Sequence, residues 1–313
     1  MSTKPDLSVT IAGVVFSNPV IAASGTFGYG GEYEGLLDIA ALGGICTKGI
    51  TLKPRPGNAG LRIHETPSGL LNSIGLENPG IPAFIEKELP RLRKLGPAVI
   101  ANLSGSDIAE YEAGAALLNN SSIDMVELNI SCPNVKAGGM AFGLDPETAG
   151  AVTAAVRKAL PHKPLMVKLS PNAPGLAAIA HSCVNAGADT LSLVNTFMAM
   201  AIDIQARRPV FDNVTAGLSG PAIRPIALRM VWELWDALRN PANPCKAVPI
   251  VGMGGIAGPE DALEFLMAGA AAVQVGSATF ARPPVMNEII RGIYVYMEKN
   301  GMRSIAELCI RGG

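Results

Sequence analysis

The feature that most constrains this chain is an alternation. Short β-rich runs, almost wholly apolar, are separated by amphipathic segments of helical length. The β-rich runs cover residues 19–24, 44–48, 98–103, 125–130, 165–169, 190–195, 249–252 and 272–275. Their cores (VIAAS, VELNI, MVKL, LSLVN, AVQVG) read as continuous rather than alternating apolar stretches, the pattern of strands buried on both faces. Between them lie PAFIEKELPRLRKL, DPETAGAVTAAVRKAL, APGLAAIAHSCVNAG and GPEDALEFLMAG, and glycine commonly follows such a segment, as a helix C-cap requires. Eight βα units predict an α/β chain folded as a (β/α)8, or TIM, barrel rather than a doubly wound sheet. A hairpin (LSVTIAGVVF) precedes the first unit. No break in composition divides the chain, so residues 1–313 are read as one domain.

Composition supports this reading and excludes others. Of 313 residues, 49% are hydrophobic, enough for a large core, and only 16% are charged. The net charge of −1 has neither the surplus nor the stripe of basic residues that a nucleic-acid binder carries. No apolar run is long enough to span a bilayer, and MSTKPDLSVT lacks the apolar stretch of a signal peptide, so a cytoplasmic protein is expected. The cysteines (Cys46, Cys132, Cys183, Cys245, Cys309) have no CxxC spacing, which argues against a metal site or a disulfide framework. Cys46, Cys183 and Cys309 are read as small core residues.

Three connections are long, roughly residues 49–82, 132–145 and 197–221. All follow strand ends, on the face where barrels keep their active sites. The strand ends there read Ser24, Lys48, Asn102, Asn129, Lys168, Asn195 and Gly254–Gly255. A single Lys or Asn is an ordinary solvated strand end. A ring of them predicts a site for a polar, anionic ligand. GMGGIAGPEDA and VQVGSATF place glycines directly after the last two strands, where backbone N–H groups can approach an oxyanion and where barrels often bind phosphate. Cys132, in ELNISCPNVKAGG, sits just past a strand at the barrel mouth. Its context fits a reactive thiol and an inert loop cysteine equally. None of the three histidines (His64, His162, His181) stands near it in sequence, so a Cys–His hydrolase is poorly supported.

Taken in order, NPVIAASGTFGYG, TKGITLKPRPGN, NSIGLENPG, ELNISCPNVKAGG, VKLSPN, LVNTF, GLSGPAIRPIALR, VGMGGI and VQVGSA resemble dihydroorotate dehydrogenase along nearly the whole chain. SGTFGYG, the cysteine and SGPAIRPIALR look like the class 1B catalytic subunit. The resemblance implies oxidation of dihydroorotate to orotate in pyrimidine (UMP) biosynthesis, with FMN over the barrel mouth. It also implies an electron-transfer partner carrying FAD and a 2Fe-2S cluster, which passes electrons to NAD, in a heterotetramer of two catalytic and two partner subunits. Class 1A enzymes are similar but stand alone and use fumarate. Class 2 enzymes use serine and carry a membrane-binding extension, and Cys132 argues against them.

Residue by residue, the resemblance puts the FMN phosphate on Gly254, Gly255, Gly276 and Ser277. It puts Lys168 beside the pyrimidine edge of the flavin, where a cation stabilises the charge of the reduced ring. Ser24, Gly49, Asn102, Asn129, Val194 and Gly220 complete the flavin site, and Lys48 touches flavin and substrate. Asn72, Asn129, Asn134, Asn195 and Thr196 match the family's substrate contacts, with Ser73, Ile74, Gly75 and Leu76 lining the same pocket. Asparagine supplies paired donors and acceptors to a ring of amides without adding charge. Cys132 is the implied base. NLSG and AGLSGP depart slightly from the family pattern, at no proposed chemical group. A dihydrouridine synthase would need a basic RNA-binding face and an extra helical domain, and the sequence shows neither. A barrel that only binds a phosphorylated ligand leaves the ring of Lys and Asn, and Cys132, unexplained.

Overall fold

A computed structural model of the chain describes residues 4–131, 142–242 and 245–311. In chain order the strands are β1 (Val9–Ile11), β2 (Val14–Phe16), β3 (Val20–Ala22), β4 (Gly44–Cys46), β5 (Ile63–Thr66), β6 (Gly69–Asn72), β7 (Ala98–Leu103) and β8 (Met125–Asn129). They continue with β9 (Leu165–Lys168), β10 (Thr190–Leu193), β11 (Phe197–Ala199), β12 (Ile202–Asp203), β13 (Arg208–Pro209), β14 (Ala216–Ser219), β15 (Ile250–Met253) and β16 (Ala272–Val275). β3, β4, β7, β8, β9, β10, β15 and β16 form a closed barrel in that order. The seam closes between the first and last of them, with Val273 opposite Val20 and Gln274 opposite Ile21. The eight β-rich runs of the sequence are these eight strands, each ending at or within a few residues of its expected bounds.

Both-face burial explains their continuous apolar character. Successive side chains point to opposite faces of a strand. Val20, Ala22, Val99, Ala101, Val126 and Leu128 face the helical layer and belong to the main core. The alternate residues Ile21, Cys46, Ile100, Met125 and Met166 face inward and pack with Ile11 and Phe16 of the N-terminal hairpin. That hairpin turns on Ala12 (φ 50°) and Gly13 (φ 84°), two consecutive positive φ values that match the twist of the paired strands. Ile11 and Phe16 are fully buried at the lower end of the barrel. Each contributes about 1.5–3 kcal/mol by that burial. Gly44 is required there, since a Cβ on it would lie 2.9 Å from the Phe16 ring.

The helices 89–95, 176–185 and 259–267 are followed by Gly96, Gly187 and Gly269 with positive φ, as expected of C-caps. The helix Pro146–Ala159 instead ends at Leu160, ahead of Pro161. Its start is capped by Asp145, which accepts from the Thr148 N–H.

Two of the long connections fold into structure that the sequence did not announce. β5 and β6 come from residues 49–82, and β11 and β14 from residues 197–221. They pair antiparallel in the order β11–β14–β6–β5, as a second sheet with its own small core of Leu71, Phe211 and Ala216. Most of the third long connection, residues 132–141, lies outside the described residues. Among the described residues no helix is long and apolar enough to cross a membrane. Cys46 and Cys183 are buried as expected, while Cys309, read as a core residue, is partly exposed.

Candidate functional site

A side chain two residues along a strand points the same way about 6.6 Å further up. Two positions above Ile100 is Asn102, and two above Met125 is Glu127, followed by Asn129. Two above Met166 is Lys168, above Thr190 is Ser192, and above Ala272 is Gln274. The inward face therefore changes from hydrocarbon to polar partway up the barrel. Glu127 is the centre of the change and is fully buried. Its Oε1 accepts from Asn102 Nδ2 (2.6 Å) and from the Cys46 thiol (3.3 Å), and stands 3.6 Å from the Lys168 ammonium. Its Oε2 accepts from Ser192 Oγ (2.9 Å) and Gln274 Nε2 (2.7 Å). Burial pushes the Glu127 carboxyl up, but Lys168 and the donors Gln274, Ser192 and Cys46 outweigh it and hold the group below the usual carboxylate range. Burial, then the charge of Glu127, push the Cys46 thiol well up, so it serves as a donor to the carboxylate.

Above this floor lies an amide layer. Asn129 donates to Asn102 Oδ1 (3.3 Å), and its own Oδ1 accepts from the N–H and hydroxyl of Ser131 (3.2 and 3.0 Å). Asn195 Nδ2 reaches Ser131 Oγ at 2.9 Å and Asn129 Oδ1 at 3.5 Å. Tyr111 donates to the Asn129 carbonyl (2.8 Å), which pins the end of β8. On the opposite wall Lys48 stands 3.8 Å from Glu77, which also accepts from Arg62 at 2.8 Å. The Arg62 hydrogen bond, with the charges of Lys48 and Arg62, lowers the Glu77 pKa.

These groups open into one cleft between the barrel mouth and the second sheet. Of the sequence-predicted residues, Ser24, Lys48, Gly49, Asn129, Lys168 and Val194 line it, as do Gly254, Gly255, Gly276 and Ser277. Asn195 and Thr196 also line it, and Asn72, Ile74, Gly75 and Leu76 reach it from the second sheet and the segment after β6. Three residues stand behind its wall. Asn102 is fully buried one layer down against Glu127. Ser73 is buried against Asn58 and Asn213. Gly220 has φ 101° and passes so close to the β5–β6 turn that a Cβ on it would lie 2.6 Å from Gly69 Cα. Cys132 and Asn134 lie outside the described residues. Sequence reasoning missed Glu127, Ser192 and Gln274, and with them the cleft-lining Phe280 and Ile63. The signal for Glu127 was present: a charged residue inside an otherwise apolar strand run, two positions from Asn129.

A parallel barrel whose mouth is covered by a second sheet, cationic and amide-rich within, with glycine turns after its last two strands, has the architecture of a barrel enzyme that acts on a small polar ligand. Sequence comparison makes the class specific. The family model for dihydroorotate dehydrogenase matches residues 6–297. A protein of Petrotoga mobilis named dihydroorotate dehydrogenase B (NAD(+)), catalytic subunit, is 56% identical over 303 residues, which cover 97% of this chain and 98% of that one. Proteins of the same name from Geotalea daltonii and Caldicellulosiruptor saccharolyticus are 52% and 50% identical, each over 97% of this chain and 97% and 98% of their own lengths. The chain belongs to the dihydroorotate dehydrogenase family.

Proposed function

We propose that this chain is the catalytic subunit of an NAD-linked dihydroorotate dehydrogenase, one barrel domain over residues 1–313. It oxidises dihydroorotate to orotate in cytoplasmic pyrimidine biosynthesis, with FMN in the cleft. The observation that carries the reading is the stacking of Lys168, Asn129 and Asn195 beneath a cleft that ends in the glycine turns of β15 and β16. The residues fit a flavin mononucleotide. Gly254 and Gly255 have φ values of 123° and 77°, and a Cβ on either would lie within 2.8 Å of Ala227 or Arg224. The backbone there stays bare, which would let a phosphate approach its N–H groups closely. Gln274 Oε1, buried on the cleft floor, has no hydrogen-bond partner among the described residues.

FMN supplies an acceptor for the hydride that leaves carbon 6 of the substrate. Lys168 would supply a fixed positive charge to the bound flavin, and Lys48 one to the substrate carboxylate. Asn72, Asn129, Asn134 and Asn195 orient the amide edges of the substrate, with Thr196 beside them. Cys132, as thiolate, takes the proton from carbon 5. A free thiol has a pKa of about 8.5, so activity rises with pH through the neutral range. Relatives named for NAD(+) support the class 1B reading over a fumarate-dependent enzyme. In that reading the electrons leave through a partner subunit with FAD and a 2Fe-2S cluster, in a two-plus-two heterotetramer.

The purified chain should be yellow, with flavin absorbance. Cys132→Ala should keep its flavin yet slow flavin reduction by dihydroorotate at least ~100-fold in stopped flow. Reduction at the wild-type rate would remove Cys132 from the mechanism, and a colourless, flavin-free protein would overturn the whole reading.

A further inference from the structure

Glu127 has no place in the reaction just described, yet it is fully buried and accepts from four side chains. Desolvating a carboxylate costs several kcal/mol even after relaxation, and a polar side chain that only filled space would not need the charge. Two features show what the charge does. The first is its acceptor-only character. Both oxygens of an ionised carboxylate accept and neither donates. Glu127 can therefore receive Asn102, Cys46, Ser192 and Gln274 together, which no amide could do.

The second is the direction this imposes on the layer above. Asn102, level with Glu127 on the neighbouring strand, must turn its Nδ2 to the carboxylate, which leaves its Oδ1 to receive Asn129 Nδ2 from the layer above. Asn129 then presents its Oδ1 to Ser131 and to Asn195 Nδ2. Which atoms Asn129 and Asn195 turn toward the cleft is coupled in this way to one buried charge a layer below. The same carboxylate stands 3.6 Å from Lys168, whose ammonium lines the cleft floor.

We propose that Glu127 is a positioning residue: its carboxylate orients the Asn102–Asn129–Asn195 amide series for the substrate, anchors Lys168, and moderates the positive charge that Lys168 presents to the flavin. The inference rests on the flavin reading above and adds to it a group that touches neither flavin nor substrate. A glutamine at this position keeps one acceptor oxygen and replaces the other with an N–H, so either Asn102 or Gln274 would face a donor and have to turn over, while Ser192 and Cys46 can switch to accepting. Lys168 would also lose its counter-charge, which favours the reduced, anionic flavin.

The test compares wild type, Glu127→Gln and Ser192→Ala, each purified with its flavin. The flavin midpoint potential is titrated against a reference dye, and orotate affinity is read from the perturbed flavin spectrum. Glu127→Gln should shift the potential upward and weaken orotate by about tenfold, the equivalent of one misaligned hydrogen bond. Ser192→Ala keeps the charge but removes one donor to it, so its potential should shift the other way, downward and by less. A purely structural carboxylate would change thermal stability and leave both potentials where they were. Glu127→Gln with full flavin content and wild-type potential and orotate affinity overturns the inference. If Glu127→Gln does not accumulate, an unchanged potential in Ser192→Ala overturns it. A wild-type protein without flavin would instead overturn the flavin reading itself.

Discussion

Around Ile100 and Met125 the barrel interior is hydrocarbon, sealed from below by Ile11 and Phe16. One inward position higher, around Asn102 and Glu127, it is amide, carboxylate and ammonium. Both levels are buried, so access to water does not separate them. What differs is how each level satisfies itself. The lower one fills volume with Ile, Met and Phe, and its Cys46 thiol finds a partner by reaching up to Glu127. The upper one must match donors to acceptors atom by atom around Glu127, at a greater risk of destabilisation if one member is lost. The step between them is about 6.6 Å, two residues of strand. A barrel can thus present a charged, preorganised floor to its ligand while a dry plug directly beneath holds the strands together.

That contrast can be broken on purpose. The largest effect is expected from moving a charge down one step. Ile11→Asp puts a carboxylate into the fully buried lower level, among Ile, Met and Phe side chains, and should cost about 3–5 kcal/mol in denaturant unfolding or prevent folding. Near-wild-type stability would mean that the polar level extends lower than described. A smaller effect is expected with pH. The folded-state pKa of Glu127 lies below its unfolded value of about 4.3. Its ionised form therefore contributes stability above about pH 5, which is lost as pH falls through the folded pKa. Between pH 5 and 3 the wild type should lose more stability than Glu127→Gln, and parallel pH profiles would place the charge elsewhere. The smallest effect belongs to Ile21→Val in the lower level. It should cost about 0.5–1.5 kcal/mol of stability and leave the flavin spectrum and potential unchanged.

The barrel was legible in the sequence because burial on both faces turns each strand into an unbroken apolar run, and because Lys48, Asn129, Lys168 and Asn195 mark the mouth. The same signal hid the centre of the site. VELNI and AVQVG were counted as apolar runs although each holds a polar residue at an inward position, Glu127 and Gln274. A residue two before Asn129 shares its face, and the alternation within β8 carried that information. Asn102, read as a flavin contact, is fully buried and turns its Nδ2 to Glu127 and its Oδ1 to Asn129. The second sheet was illegible for another reason. Asn72 pairs with Gly217, and IHET, GLLN and AGLS are too short to announce strands whose partners lie so far along the chain. Cys132 and Asn134 stand as sequence readings alone, outside the described residues.

The hydrogen bonds that converge on Glu127 also have an order in time. When β8 leaves the ribosome, Cys46 and Asn102 are already present, but Ser192 is 65 residues away and Gln274 is 147 residues away. Until both have been synthesised, water must serve the second carboxylate oxygen, because leaving it bare costs more than early burial returns. Gln274 belongs to the strand whose pairing with β3 closes the ring, so the last donor arrives with the last seam. The last donor to the carboxylate and the last seam of the barrel therefore lie on one strand, β16, so an incomplete ring also leaves Glu127 short of a donor.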